Sequence, residues 1–259
     1  SANNLFVAKL SNADGSYIDS DVWPGSGNVT GIVQHADVRY VLADYQLTPP
    51  EFGISVNPPD YAAPSQVVVV KFDGATPKAR VLGYSNRAES AYALLDTGDG
   101  LVLFAKNVID NDNLLQGVFS GAPSVPNLPA GSQATFAAKL DYELAVEWVN
   151  VLEVTNVDVG YKHEPTSMSL RGAGVSVGTL QLAPVESVVG VESFPAPTVD
   201  SLLFDLSAAG TLQGYLPFPD PDSTPLADDA AAMRLLPTVC GDLLFGHFTG
   251  EFAWDGVVE

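Results

Sequence analysis

The chain has 259 residues, of which 46% are apolar, so it can bury a core and is not a disordered chain. Its 31 acidic and 11 basic residues leave a net charge of −20, which repels phosphate backbones and excludes direct nucleic-acid binding by the chain as given. One cysteine, Cys240, excludes an internal disulfide framework and a Cys-based zinc site, and the longest apolar runs, such as "QVVVV", are strand-sized, so no membrane insertion is expected.

Short β-type runs follow one another along the chain, separated by turn and breaker residues. The sequence starts "SANNLF" without Met, and we expect a processed or trimmed chain. Residues 31–48 ("GIVQHADVRYVLADYQLT") alternate in part and predict one or two strands. Further strands are predicted at 65–74, 78–85, 91–96 and 100–106. Residues 114–121 ("LLQGVFSG") lead into a Pro-rich link. After the link, "ATFAAKLDYELAVEW" (134–148) places every even residue on an apolar face and every charge on the odd one. That period of two predicts one continuous, half-buried strand with Phe136, Leu140, Tyr142, Leu144 and Trp148 in the core. A strand this long fits a large sheet with one covered face, as in a sandwich or jelly roll. The best helix candidate is 224–236, where Thr224 can cap, Pro225 suits the first position, and Asp228 and Asp229 favour the first turn.

The spacing of runs and turns predicts an all-β fold: an antiparallel β-sandwich of jelly-roll type with few short helices. No internal repeat of fixed period stands out, which argues against a propeller or solenoid. Pro-rich stretches fall at 49–64 and 195–225. The second sets our expected division: a β-sandwich shell domain at 1–194, and an acidic, Pro-rich C-terminal tail or small β subdomain at 195–259.

Catalytic motifs are not evident. We find no nucleophile elbow, phosphate loop, zinc-protease helix motif or dinucleotide fingerprint. His35, His163 and His247 lie far apart and read as surface or satisfied core residues. Acidic pairs occur at Asp19 with Asp21, Asp110 with Asp112, and Asp220 with Asp222. In "DNDN" (110–113) the clustered oxygens suit either a turn or a hard cation, so Asp110 and Asp112 are the candidate metal ligands. The sequon "NVT" (28–30) matters only in a secreted chain.

The stretch "LLQGVFSGAPSVPNLPAGSQATFAAKLDYELAVEW" resembles jelly-roll capsid proteins of small icosahedral viruses, broadly the nodavirus- and tombusvirus-like shells. The carrying elements are Ser120-Gly121-Ala122-Pro123, Pro129-Ala130-Gly131 and a long alternating strand ending in Glu147-Trp148. Upstream, "DGLVLFAKNVIDND" and "ADVRYVLADYQLT" resemble earlier parts of such shells, and the likeness spans about 36–165. The resemblance implies a non-enzymatic capsid subunit in the virion, partnered by copies of itself in a large homo-oligomer. Ca²⁺ at subunit interfaces and self-cleavage at an Asn bond are family properties, but no residues here match either set. Two features depart from the family: nothing is basic like its genome-facing arm, and the tail after 195 has no counterpart. That tail holds ten carboxylates against Arg234 alone, and we expect Phe252 and Trp254 to dock on their own or an adjacent subunit.

Two other functions are weighed beside the capsid. One is a secreted or surface β-sandwich binding module for carbohydrate or protein, with Phe52, Tyr61, Tyr215 and Phe218 as contact residues. The other is a hydrolase with paired carboxylates, which no spacing supports.

Overall fold

A computed structural model describes residues 4–25, 27–46, 52, 65–74, 77–85, 90–108, 132–156, 163–181, 187–189, 192–194, 201–218, 234–238 and 241–245. Its strands, in chain order, open with β1 (Asn4–Leu10) and β2 (Tyr17–Pro24), which pair as a hairpin. Next come β3 (Gly27–His35), β4 (Val38–Gln46), β5 (Ser65–Phe72) and β6 (Lys78–Ser85), then β7 (Ser90–Asp96), β8 (Leu101–Val108), β9 (Ser132–Leu140) and β10 (Val146–Asn156). The remainder are β11 (His163–Arg171), β12 (Gly174–Gln181), β13 (Ser187–Val189), β14 (Glu192–Phe194), β15 (Ser201–Leu206), β16 (Leu212–Phe218), β17 (Arg234–Thr238) and β18 (Gly241–Phe245). Every described ladder is antiparallel, and no helix occurs among the described residues.

The sheets are meanders laid face to face. Their orders are β1-β2, β3-β4-β5-β6, β7-β8-β9-β10 extended by β13-β14, β11-β12-β15-β16, and β17-β18. Three apolar cores separate the first four layers. Leu5, Val7 and Trp23 of the first hairpin pack on Val41, Tyr45, Val68 and Val70. The opposite face of that second sheet, with Tyr40, Leu42, Val67, Val69 and Leu82, packs on Leu94, Leu101, Leu103, Phe136 and Leu140. Beyond it, Val102, Phe104, Ala137 and Leu152 meet Met168, Val175, Val177, Phe204 and Leu206. The first strand of each layer touches the first strand of the next: β1 with β3, β3 with β7, β7 with β11, and β11 with β17. Propeller blades pack along their inner strands in the same way, although no sequence repeat announces it.

The two middle sheets are therefore buried on both faces. This explains why Val67–Val70 and Leu101–Ala105 read as unbroken apolar runs rather than alternating ones. The all-β, antiparallel expectation holds. The described strand neighbours are mostly sequential, whereas a jelly roll pairs strands far apart in the chain.

The structure corrects the continuous strand at 134–148. β9 ends at Leu140 and β10 begins at Val146, with a hairpin turn between them. Asp141 makes the turn. Its carboxylate accepts the amides of Glu143 (2.9 Å) and Ala145 (2.8 Å), and its own amide donates to the Ala145 carbonyl (2.9 Å). An Asx side chain that bonds backbone ahead of it outcompetes the ladder. Leu144 takes a left-handed φ of 67° there while its side chain stays buried in the core that Phe136 and Leu140 share. A register shift between Val146 and Trp148 then sends Trp148 to the opposite core, beside Phe104. The expected solvent face of β9 is buried too, since Thr135, Ala137 and Lys139 are each at most 5% exposed.

One further correction concerns the C-terminal part. Arg234, Leu235 and Leu236 of the expected helix lie in β17, paired with Phe245, Leu244 and Leu243, while 224–233 lie outside the described residues. At these three positions pairing across the β17–β18 hairpin stands in place of the end of the expected helix. In the same part of the chain, β15 pairs along β12 from Val175–Leu206 to Leu180–Ser201.

Candidate functional site

Two regions have side chains organised beyond simple packing: the end of the stack where the short turns gather, and the outer face of the first hairpin. At the turn end, polar side chains tie one layer to the next. The Asp96 carboxylate, at the end of β7, takes the Tyr142 hydroxyl (2.7 Å) and the Gly98 amide (2.8 Å), and its second oxygen lies 2.9 Å from His35 Nδ1 at the end of β3. The His35 and Tyr142 rings stack with centroids 3.9 Å apart. Tyr40 completes the group by donating to the Tyr142 carbonyl (3.0 Å). Burial pushes the Asp96 carboxyl up, but the bonds from Tyr142, Gly98 and His35 outweigh it and hold it below the ordinary value. The Tyr142 hydroxyl is pushed up, first by burial and then by its bond to Asp96, so it stays protonated and is a poor nucleophile. The arrangement therefore reads as a three-strand tie.

Lysines, an arginine and two side-chain N–H donors make further ties. Lys71 and Lys78 both hold Glu143, at 2.5 and 2.7 Å. Lys139 bridges Asp99 (2.8 Å) and Glu147 (3.1 Å). Arg39 pairs with Asp21 (2.5 Å) and lies over the Phe72 ring (5.1 Å), linking the first two layers. Trp148 Nε1 donates to Ala208 O (3.1 Å) and Asn150 Nδ2 to Gly210 O (2.6 Å), linking the third layer to the fourth.

These ties give the turn end a pH dependence with a definite sign. The hydrogen bonds from Lys71 and Lys78 lower the Glu143 carboxyl from its ordinary value to about 2. A carboxylate lowered on folding adds stability above its unfolded value and loses it as pH falls through the folded one. The Glu143 contribution is thus expected to be complete above about pH 5 and lost toward pH 2. Asp44 has the opposite sign, because burial raises it despite bonds from Asn28 (2.9 Å) and the Ala91 amide (3.2 Å). Its contribution falls as pH rises through the carboxylate range. Thermal melts from pH 2 to 7 should show a shallower acid loss in Glu143→Gln than in the parent; equal slopes would remove the Glu143 assignment.

The second region is the outer face of β1–β2. In the register, Phe6 lies opposite Val22 and Leu10 opposite Tyr17, with Ile18 at the irregularity beside them. All five are more than half exposed. They make up five of the eight exposed large apolar residues among those described, so the apolar surface is concentrated in one hairpin. The inner face of the same hairpin holds Leu5, Val7 and Trp23 in a core, so both faces are apolar. Phe52 joins that core edge-on to Trp23 at 5.2 Å.

The sequence candidates fall as follows. Asp110 and Asp112 lie outside the described residues, as do Asp220, Asp222, Cys240, His247, Phe252 and Trp254. Among the described residues no group of three His, Cys, Asp or Glu residues could hold a metal ion. Asp21 is engaged with Arg39, and Asp19 accepts the Ser20 amide (2.8 Å). Asn28 of the sequon gives its amide nitrogen to Asp44. Sequence reasoning did not assemble His35, Asp96 and Tyr142, which lie far apart in the chain, and it read no strand in 4–24. The turn signal "SNADGS" between "NLFVAKL" and "YIDSDVWP" could have found that hairpin. No protein-family model and no curated protein matches the chain.

Proposed function

We propose that the chain is a structural subunit that works by associating with copies of itself, without a catalytic role. The observation that carries this reading is the outer face of β1–β2, a concentrated apolar surface on the first layer of a stack whose inner layers bury theirs. A virus shell is the concrete form that the resemblance supplies, with the virion as the location. A jelly roll is not needed for it: meanders stacked face to face also give a rigid block with surfaces for neighbours. The high negative charge keeps single copies apart at low salt and allows closer approach when salt screens it. Electron microscopy of concentrated protein in high salt tests the reading. Ordered particles or filaments support it, and discrete monomers at every concentration contradict it.

Ca²⁺ held between subunits by Asp110 and Asp112 belongs to the same proposal. Close carboxylates repel once a cation is removed, so assemblies are expected to loosen with chelator above pH 7. Particles unchanged by chelator and by the rise in pH would remove the cation from the proposal.

A binding module, extracellular in location, is the second reading. It is favoured by the length of the connections that the sequence places between β4 and β5 (47–64) and between β8 and β9 (109–131). Its expected contact residues fare unevenly. Phe52 is buried, Tyr215 packs against the core around Phe104, and Tyr61 and the Phe218 side chain lie outside the described set.

A further inference from the structure

We propose that the hollow where the first interlayer core opens at the turn end is a binding site for a small zwitterion of the α-amino-acid type. Strand alternation builds it. On β1, Leu5 and Val7 face the core between the first two layers, and Lys9 continues their row. On β4, Val41, Ala43 and Tyr45 face the same core, and Arg39 stands at the start of their row. On β5, the row of Val68 and Val70 ends in Phe72, which packs against that core. The apolar rows thus finish in two cations and a ring. Gln34 of β3, Asp37 in the turn after it and Gly74 in the turn after β5 complete the lining. The hollow has a volume of about 380 Å³. Small-molecule sites span about 300–1,000 Å³.

Arg39 is fixed before any ligand arrives. Its Nη2 lies 2.5 Å from Asp21 Oδ2, and its guanidinium lies over the Phe72 ring, on which Trp23 also stacks at 5.3 Å. Its Nε is buried with no hydrogen-bond partner, so the fork of donors is not satisfied by Asp21. Lys9 and Asp37 are both exposed, and neither has an ion pair among the described residues. The hollow therefore presents both signs. A simple anion would meet Asp37, with Asp21 behind Arg39, and a simple cation would meet Lys9 and Arg39. A molecule with a carboxylate beside an ammonium suits both: Lys9 and Arg39 take the carboxylate, and Asp37 takes the ammonium. The Gln34 amide oxygen is a further acceptor for that ammonium, since its amide nitrogen is the atom that donates to Ala36 O (3.1 Å). Phe72 is the one apolar side chain of the lining, so discrimination among amino-acid side chains is expected to be weak. The site does not depend on the self-association proposed above.

The test is titration of the full chain with each standard amino acid at millimolar concentrations, read by amide NMR shifts. The amides that move are expected around Lys9, Asp37 and Gly74. The amino acid that binds best is then compared with its N-acetyl derivative, which keeps only the carboxylate, and with its carboxamide, which keeps only the ammonium. In the parent both derivatives should bind several-fold more weakly. Lys9→Met and Asp37→Asn should each weaken the free amino acid several-fold while keeping the parent's circular dichroism and melting, because both side chains are exposed. Asp37→Asn should also bind the N-acetyl derivative more tightly than the parent does, which a merely structural role of Asp37 would not produce. The proposal is overturned if no amino acid binds, if the shifted amides lie elsewhere, or if the N-acetyl derivative binds the parent as tightly as the free amino acid.

Discussion

Gly210→Ala is expected to destabilise the protein by about 2–5 kcal/mol, combining a left-handed backbone penalty with overpacking against an aromatic ring. Gly210 has a φ of +74°, and a Cβ built there would sit 2.3 Å from Trp148 Cδ2 and 2.6 Å from Cε3. The ring is held by packing and by a hydrogen bond. Trp148 is 9% exposed, packs in the core with Phe104, and donates to Ala208 O in the same turn. The Gly210 carbonyl also accepts Asn150 Nδ2, so shifting the turn away from the ring breaks a second bond. Equilibrium unfolding in urea measures the loss. In the double variant Gly210→Ala/Trp148→Leu, part of it should be recovered because the clash is gone. A loss within about 0.5 kcal/mol, typical of a neutral surface change, would contradict the described packing.

Phe136→Ala is the second large effect, with an expected cost of about 3–5 kcal/mol for emptying an aromatic site in a packed core. Phe136 is fully buried on β9, between strands β8 and β10, and shares a core with Leu103, Ala105 and Leu140. Neighbouring sheets lie over both faces of this strand, so relaxation into the cavity is restricted. Leu140→Ala is expected to cost about 2–5 kcal/mol for the same reason. Phe6→Ala is the internal contrast. Its side chain is 66% exposed, so a dilute monomer should change by no more than about 0.5 kcal/mol. If Phe6→Ala proved as damaging as Phe136→Ala in dilute solution, the outer face of β1–β2 would be an internal surface.

Much of the central sheet was legible because strand residues bounded by turn residues are a local signal. Residues 78–85 match β6 at both ends, and 65–74, 91–96 and 100–106 differ from β5, β7 and β8 by at most two residues at each end. Residues 31–48 resolve into parts of β3 and β4, joined by a tight turn at Ala36 and Asp37. The errors came where a non-local cause took over. Alternation across 134–148 is genuine, but Asp141 offers the backbone a turn, and the register shift after it moves Trp148 to another core. Period two was also misleading about burial, because a sheet covered on both faces hides its odd residues as well, including Lys139 with its partners Asp99 and Glu147. The tie of His35, Asp96 and Tyr142 has no sequence spacing of its own. It exists because three turns meet at one end of the stack.

Sedimentation equilibrium of the intact chain, compared with Phe6→Asp/Val22→Asp over a wide concentration range, tests the self-association account most directly. The parent should gain mass with concentration, more strongly in 1 M salt, where the screening length falls to about 3 Å. The double variant should remain a monomer with unchanged dilute-solution stability, because two charges are then placed in the apolar contact. If the parent stays monomeric in high salt, or the double variant associates as the parent does, the face of β1–β2 is not the assembly surface and the account fails.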